Sequence, residues 1–294
     1  MPELPEVQTV INSLRKLVLG QKIKRFVVQP TGLKSLGGLG PQDFSKNIVG
    51  QSIAEISRKG KFLVFELKPS GLIIAHLRMT GRFVYLPKDE KKAEAKVMPQ
   101  FLVSDNSEII SLPEKYVRLS IGLTHGDLYF ADKRRFGTFH YTMSSKDYFA
   151  DKTLGPDALE AAFNDDYLTK KLCKTRKPIY SSLLEQGVVA GLGNIYVCES
   201  LALTRISPWR QSNRLTKKET ETLVGNIKEV LKRALEAKGT SFSDYVDGEG
   251  KRGEFKQQLL VYSKKTARVG KNEYLVATGK IGGRTVWYIA EIQK

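Results

Sequence analysis

Val7, Val10, Ile11, Leu14, Leu17 and Val18 recur at intervals of three and four, so the spacing predicts a helix over residues 5–19, with acidic Glu6 in its first turn and Gly20 as its stop. From there to about residue 143 the pattern becomes β-like. "IKRFVV", "KFLVFEL", "GLIIAHL", "RFVYL", "EIISL", "VRLSIGL" and "DLYFA" are short alternating or buried strands, with "THGD" as a hairpin turn between the last two. The charged, apolar-poor "PKDEKKAEAKVMPQ" within this region is expected to be an exposed loop. Past "LGPDAL" the period changes again, and 165–238 is predicted to be helical: "DDYLTKKLCK", "PIYSSLLEQ", "NIYVCESLALTR" and "KKETETLVGNIKEVLKRALEAKG". The last of these opens on a capping box, Thr216 followed by Glu219, and closes at Gly239. Residues 239–294 hold the glycine-rich "DGEGKRGEF" and two strands, "NEYLVAT" and "TVWYIAEI", whose short spacing predicts one hairpin. Strands first and helices second is an α+β arrangement with segregated parts, divided here at 1–143, 144–238 and 239–294.

Length and charge narrow the class. The 294 residues exceed the usual size of one domain, which suggests two domains sharing an interface or cleft, and 41% hydrophobic residues are enough for a core in each. No run approaches the roughly 18 apolar residues of a membrane span, and the first residues lack a signal-peptide pattern; the expectation is a soluble, cytoplasmic protein without membrane partners. Cys173 and Cys198 stand singly on helical segments, which suits a reducing compartment, suggests core thiols and gives no metal site. Against 31 acidic residues stand 48 Lys and Arg, a formal net charge of +17 spread along the chain. A polyanion such as nucleic acid is the natural partner, bound with salt-sensitive affinity; a merely soluble basic protein or an RNA-associated structural protein is the alternative.

Candidate chemistry begins at the first residues, "MPELPE". If Met1 is removed, Pro2 carries a free secondary amine whose pKa near about 8 leaves part of it unprotonated at neutral pH, unlike a lysine near about 10.4. Such an amine attacks an aldehyde-level carbon to give an iminium without further proton loss. Glu3 then stands beside the reacting atoms as general acid or base, and Glu6 within reach of a water. On these residues alone the plainer reading is preferred, that Pro2 and Pro5 merely start a helix, where proline is welcome. "GVVAGLGNIY" (187–196) follows one helix and precedes another, so it is not a dinucleotide fingerprint. It is either a plain structural corner or one whose Asn194 end offers N–H groups to a phosphate. In "DKRRFG" two arginines and Phe136 either read bases and wedge into a stack or form a surface loop. "SRKGKF" and "AHLRMTGR" add Arg58, Lys59, Lys61, His76, Arg78 and Arg82, as a solvated face or as the frame of a groove.

Taken in order, "PELPEV", "RKGK", "HLRMTG", "DKRRFGTF", "LGPDAL", "EQGVVAGLGNIYVCESL", "RISP", "GTSFSDY", "LLVY" and "GGRTVWY" resemble the formamidopyrimidine-DNA glycosylase family of base-excision repair. The resemblance runs over almost the whole chain. It implies a β-sandwich behind the leading helix, a helix-two-turns-helix domain, a terminal hairpin finger, and a bifunctional glycosylase and abasic-site lyase acting on double-stranded DNA with oxidised bases or abasic sites. It implies that Pro2 attacks C1′ of the damaged nucleotide, that Glu3 is the acid and base, and that Glu6 and Glu199 organise water or the extruded base. Lys61, His76, Asn194 and Arg284 match the phosphate-gripping group, Met79, Arg134 and Phe136 the residues that fill the vacated space, and Tyr262 with loop 241–254 the region that closes over the base. A monomer, nucleoid-associated in a bacterium, is the simpler expectation.

The chain departs from the pattern at its end, where the family builds a four-cysteine zinc finger. Val269, Asn272, Ile289 and Ile292 occupy those places, so no cofactor or metal is expected, and Val269, Ile289 and Ile292 with Tyr274, Leu275, Trp287 and Tyr288 are expected to hold the finger as an apolar cluster. Tyr180 stands where the family usually has a lysine, and the segment 87–113 is longer than usual. Leu4 with the Met79, Arg134, Phe136 set favours the branch for 8-oxoguanine and formamidopyrimidines over the endonuclease VIII branch for oxidised pyrimidines. A non-catalytic binder of damaged DNA is the rival from another class.

Overall fold

The apolar stripe of the first residues folds as helix α1 (Leu4–Val18) in a computed structural model of the chain, which describes residues 1–88, 101–103, 109–111, 114–240 and 253–294. These residues divide into two units. The first contains Met1–Pro2, Glu6–Asp151 and Lys238–Gly253; the second contains Glu3–Pro5, Lys152–Ala237 and Glu254–Lys294.

In the first unit the chain continues through β1 (Ile23–Val28), α2 (Pro41–Ile48), β2 (Ser52–Lys59), β3 (Phe62–Lys68), β4 (Leu72–His76), β5 (Gly81–Pro87), β6 (Phe101–Val103), β7 (Ile109–Ser111), β8 (Val117–Leu123), β9 (Gly126–Asp132), β10 (Thr138–Thr142) and α3 (Ser145–Ala150). Two four-stranded antiparallel sheets result, ordered β1, β8, β9, β5 and β10, β4, β3, β2, while β6 pairs with β7. Val7, Val10, Ile11 and Leu14 of α1 share one buried cluster with residues from both sheets, which is what their helical spacing requires. Aromatic edges join the sheets: the rings of Phe130 (β9) and Phe139 (β10) lie 4.8 Å apart and those of Phe83 (β5) and Phe139 lie 5.8 Å apart. The predicted turn at "THGD" joins β8 to β9. Most of the expected loop "PKDEKKAEAKVMPQ" lies outside the described residues.

The second unit is helical first: α4 (Asp165–Leu172), α5 (Ile179–Leu184), α6 (Asn194–Thr204) and α7 (Lys217–Glu236). Helix α6 buries every residue from Ile195 to Ala202, so it is the central rod. Helix α7 buries one stripe, Leu223, Ile227, Val230, Leu231 and Ala234, and starts on the predicted capping box, with Glu219 N donating to Thr216 Oγ1 at 3.2 Å and Thr216 N to Glu219 Oε2 at 2.8 Å. One thiol departs from expectation: Cys198 is buried, but Cys173, at the C-terminal cap of α4, is exposed.

The terminal strands pair differently from the sequence pattern. Four strands form two hairpins, β11 (Thr266–Val269) with β12 (Asn272–Leu275) and β13 (Ala277–Ile281) with β14 (Arg284–Tyr288). "NEYLVAT" therefore breaks at Val276, and "TVWY" pairs with the preceding "ATGKI", whose glycine and lysine hide its strand character. Ala267, Ile281, Val286 and Ile289 belong to the same buried cluster as the helices, and Val269, Tyr274, Trp287 and Ile292 pack against it. Full burial of Ile281, Val286 and Ile289 is worth roughly 5–9 kcal/mol of gross transfer free energy. Leu275 does not join them: it is 72% exposed, because its strand position faces away from the helices. Tyr288 packs instead on Trp209, with ring centroids 4.6 Å apart. Val269, Asn272, Ile289 and Ile292 offer neither thiolate nor imidazole, so they do not fit a zinc ion, and no group of three or more His, Cys, Asp or Glu side chains gathers among the described residues. The last turn is tied down by polar bonds, Ile289 N to Gln293 Oε1 at 2.6 Å and Gln293 Nε2 to Ile206 O at 2.8 Å.

Candidate active site and nucleic-acid interface

In the second unit the site grows from the N-terminus of α6. A helix leaves its first N–H groups without internal partners, and here an internal anion takes them: the buried Glu3 carboxylate accepts from Ile195 N at 3.0 Å and Tyr196 N at 3.5 Å. The expected exposed N–H groups are thus already occupied by Glu3. Close approach is possible only because residue 193 is glycine, since a Cβ there would collide with the Glu3 carboxyl. Leu4 N donates to Gly191 O at 3.0 Å, and Gly191 turns the chain at φ +98°.

Asn194, the first residue of α6, accepts from Tyr180 Oη at 2.6 Å and donates through Nδ2 to Thr285 O at 3.0 Å. Tyr262 also hydrogen-bonds its side chain. Arg284, next to Thr285, is exposed at the β13–β14 turn, where Gly282 and Gly283 both have positive φ. Burial pushes the Tyr180 hydroxyl well above the usual tyrosine range, and pushes Tyr262 and the neighbouring Cys198 thiol each up to about 12, so all three stay protonated and neutral. Tyr262 also packs on Trp287, with ring centroids 4.2 Å apart. Glu199, five residues along α6 from Asn194, is turned elsewhere: its carboxylate accepts from Leu260 N (2.6 Å), Val261 N (2.9 Å) and Tyr262 N (2.8 Å). Burial raises its pKa despite those three donors. It therefore fixes the turn that carries Tyr262.

In the first unit Lys61 is buried in the two-residue turn between β2 and β3, after Gly60 at φ +56°. Strand register puts Phe62 opposite His76, and the His76 ring stands edge-on to Phe62 at 4.6 Å. Burial, with the charges of Arg78 and Lys61, lowers the His76 pKa to about 3. Its Nδ1 accepts from Arg78 N at 2.9 Å, so the neutral ring carries its proton on Nε2. That leaves one N–H donor, on Nε2, in a ring that does not titrate near neutrality.

The predicted void-filling residues are organised by one the sequence reading passed over. Asp132, fully buried at the end of β9, takes Arg134 N (3.0 Å) and the Thr80 hydroxyl on Oδ1, and Phe136 N and Gly137 N (both 2.7 Å) on Oδ2. Thr80 Oγ1 also accepts from Arg134 N at 3.1 Å, which links the Met79 turn to the 133–137 loop. Met79 and Phe136 stay 42% and 53% exposed, and Arg134 lies over the Phe136 ring at 5.1 Å. Arg118, also buried, donates from Nε to Asp132 O at 2.7 Å. Asp132 stands inside "DKRRFG", and an Asp opening a tight loop is a known acceptor of N–H groups two or more residues on, the signal that would have found it. Glu6 is likewise committed, accepting Thr240 N at 2.8 Å where Gly239 turns at φ +83°. Met1 is half exposed and Pro2 buried. Loop residues 241–252 lie outside the described residues.

The chain between α5 and α6 turns first at Glu185–Val188, with Val188 N to Glu185 O at 2.8 Å, and again at Gly191. An α+β chain with an antiparallel β-sandwich unit and this corner is a helix-two-turns-helix protein, and its basic loops with exposed apolar tips suit a polyanion carrying flat rings. Residues 1–139 match the model for the formamidopyrimidine-DNA glycosylase N-terminal domain, and residues 154–246 that for the formamidopyrimidine-DNA glycosylase H2TH domain. The chain is 36% identical to the formamidopyrimidine-DNA glycosylase of Shouchella clausii, over 100% of this chain and 99% of that one. With that of Desulfitobacterium hafniense it is 35% identical over 90% of this chain and 89% of the relative. A Lactococcus lactis FPG mutant in complex with Fapy-dG containing DNA superposes with a TM-score of 0.86 at 32% identity, covering 100% of both chains. A MutM structure in complex with carbocyclic 8-oxo-G containing DNA does so with a TM-score of 0.85 at 31% identity, again over 100% of both chains. The chain belongs to the formamidopyrimidine-DNA glycosylase family.

Proposed function

We propose that this chain excises oxidised purines, 8-oxoguanine and formamidopyrimidines, from double-stranded DNA and then cuts the strand at the abasic site. The observation that carries the reading is Glu3: a buried carboxylate fixed at a helix N-terminus, one residue from a proline that becomes a secondary amine once Met1 is removed. Pro2 nitrogen attacks C1′ as the glycosidic bond breaks and the base leaves, and cleavage of the C1′–O4′ bond, with its electrons going to O4′, then opens the sugar and gives an iminium. Glu3 moves the protons this requires, first toward the departing base or sugar oxygen and then from the sugar carbon whose deprotonation starts β- and δ-elimination. Lys61, the His76 Nε2–H, Asn194 and Arg284 hold backbone phosphates. Met79, Arg134 and Phe136 fill the space of the extruded nucleotide, with the arginine toward the orphaned cytosine. Glu6 and Glu199 act by anchoring the segments at Thr240 and at 260–262. The work belongs at the chromosome in the cytoplasm, by a monomer; no helix among the described residues is long and apolar enough to cross a membrane.

The test is borohydride trapping on duplexes bearing 8-oxoguanine, a formamidopyrimidine or an oxidised pyrimidine. A covalent adduct with the purine lesions is expected, attached to the Pro2 nitrogen when the trapped N-terminal peptide is mapped by mass spectrometry. Absence of any adduct would falsify the lyase step and favour a non-catalytic binder. Adducts on pyrimidine lesions alone reassign the branch.

A further inference from the structure

The buried tyrosine at position 180 makes one polar contact that reaches a surface cation in three steps. Its hydroxyl, 1% exposed with its ring, lies 2.6 Å from Asn194 Oδ1. The Thr285 carbonyl at the other end of the amide can only accept, so Nδ2 faces it and Oδ1 faces the Tyr180 hydroxyl, which donates. Cys198 Sγ, at 3.6 Å, is a second, weaker donor to the same oxygen. With Oδ1 fixed, the amide nitrogen faces β14 and donates to Thr285 O at 3.0 Å. The residue before Thr285 is Arg284, exposed at the end of a two-residue turn of positive-φ glycines, which by themselves give the strand end little rigidity. We infer that Tyr180 is a positioning residue for the Arg284 hairpin, acting through the Asn194 amide as a polar strut between α5, α6 and β14. Turning the amide over would set Oδ1 against the Thr285 carbonyl oxygen and Nδ2 against the Tyr180 hydroxyl hydrogen. The Thr285 carbonyl, which can only accept, rules that state out, and the Tyr180 hydroxyl, donating to Oδ1 from the other side, holds the amide against tilting away from β14. The strut does for this hairpin's tip what the buried Val286 and Ile289 side chains do for its base.

The part of this inference that concerns DNA rests on Arg284 being a phosphate contact, as proposed above; the strut does not. Two measurements on the full chain separate them. In Y180F the ring and its packing stay, so the melting temperature should fall by no more than a few degrees. Hydrogen–deuterium exchange over 280–288 should quicken at least threefold, with exchange in α7 unchanged; unaltered exchange at 280–288 overturns the strut whatever the protein binds. Affinity for a duplex with a tetrahydrofuran abasic analogue should drop roughly three- to tenfold, the range expected for losing one buried hydrogen bond. The salt dependence of that affinity should keep its slope, because no cation is lost, whereas R284A should flatten the slope by about one contact. In the double variant Y180F/R284A the Tyr180 change should cost nothing beyond R284A. Full additivity overturns the route through Arg284. If the wild type fails to bind the duplex while the exchange result holds, the strut stands and the DNA reading fails.

Discussion

Asp132→Asn is the sharpest probe of the loop that carries Arg134 and Phe136. The carboxylate is fully buried and each oxygen serves two donors, Arg134 N and the Thr80 hydroxyl on one side, Phe136 N and Gly137 N on the other. Asparagine retains one acceptor. Its better orientation keeps the oxygen toward Phe136 N and Gly137 N and turns the amide nitrogen toward Thr80, whose hydroxyl can rotate to accept. Arg134 N is then left with Thr80 Oγ1 alone, at 3.1 Å. The loss is one charge-assisted bond, two weakened ones and the countercharge nearest the buried Arg118 guanidinium, which amounts to roughly 2–4 kcal/mol. Asp132→Ala, which strands the Thr80 hydroxyl, Phe136 N and Gly137 N and leaves Arg134 N with Thr80 Oγ1 alone, should cost about twice as much. Urea titration followed by far-UV circular dichroism measures both stability losses, and single-turnover excision of 8-oxoguanine opposite cytosine measures the effect of D132N on activity. Excision should slow at least tenfold, while borohydride trapping on a preformed abasic site falls less, because no base needs replacing in the stack. A D132N protein with an unchanged urea midpoint and full excision would refute the claim that Asp132 organises this loop.

Other expectations are independent of that one. His76 has a folded pKa of about 3 against an ordinary 6.5, so the folded state binds fewer protons between those values and unfolding free energy rises with pH across the window. Its stabilisation is full above about pH 6.5 and fades as pH falls toward 3, on the order of 3–5 kcal/mol in all; the stability gap between wild type and H76F should shrink by about 3 kcal/mol of this between pH 7 and pH 4, and parallel profiles would count against the burial argument. Gly193→Ala should displace Glu3 from Ile195 N and lower excision and trapping together by more than tenfold with DNA affinity nearly kept; wild-type trapping would show that Glu3 has another support. Metal analysis should find no stoichiometric zinc, and chelator should leave both melting temperature and strand cutting intact, since apolar packing holds the terminal hairpins; chelator-sensitive cutting contradicts this.

The local periods along the chain were sufficient for α1, for the strands of the sandwich and for the capped start of α7, because each is decided by side chains three, four or two residues apart. The ordered short motifs were likewise sufficient for the family. What they left open was partnership. "NEYLVAT" has the composition of a strand, but its break at Val276 and the recruitment of "ATGKI" depend on which hairpin buries Val286 and Ile289 against the helices. Asp132, Glu6 and Glu199 are ordinary carboxylates in sequence; each becomes a loop anchor only because folding brings backbone N–H groups to it, at 136–137, at 240 and at 260–262. Tyr180 is a bare departure from the family pattern until α5 and α6 set its hydroxyl on Asn194. The sequence by itself determined which residue types are present and at what local spacing. Which of them meet, and so which proton is held and which cation is aimed, was decided by tertiary packing, because hydrogen bonds between distant residues act over about 3 Å and no local period encodes such a distance.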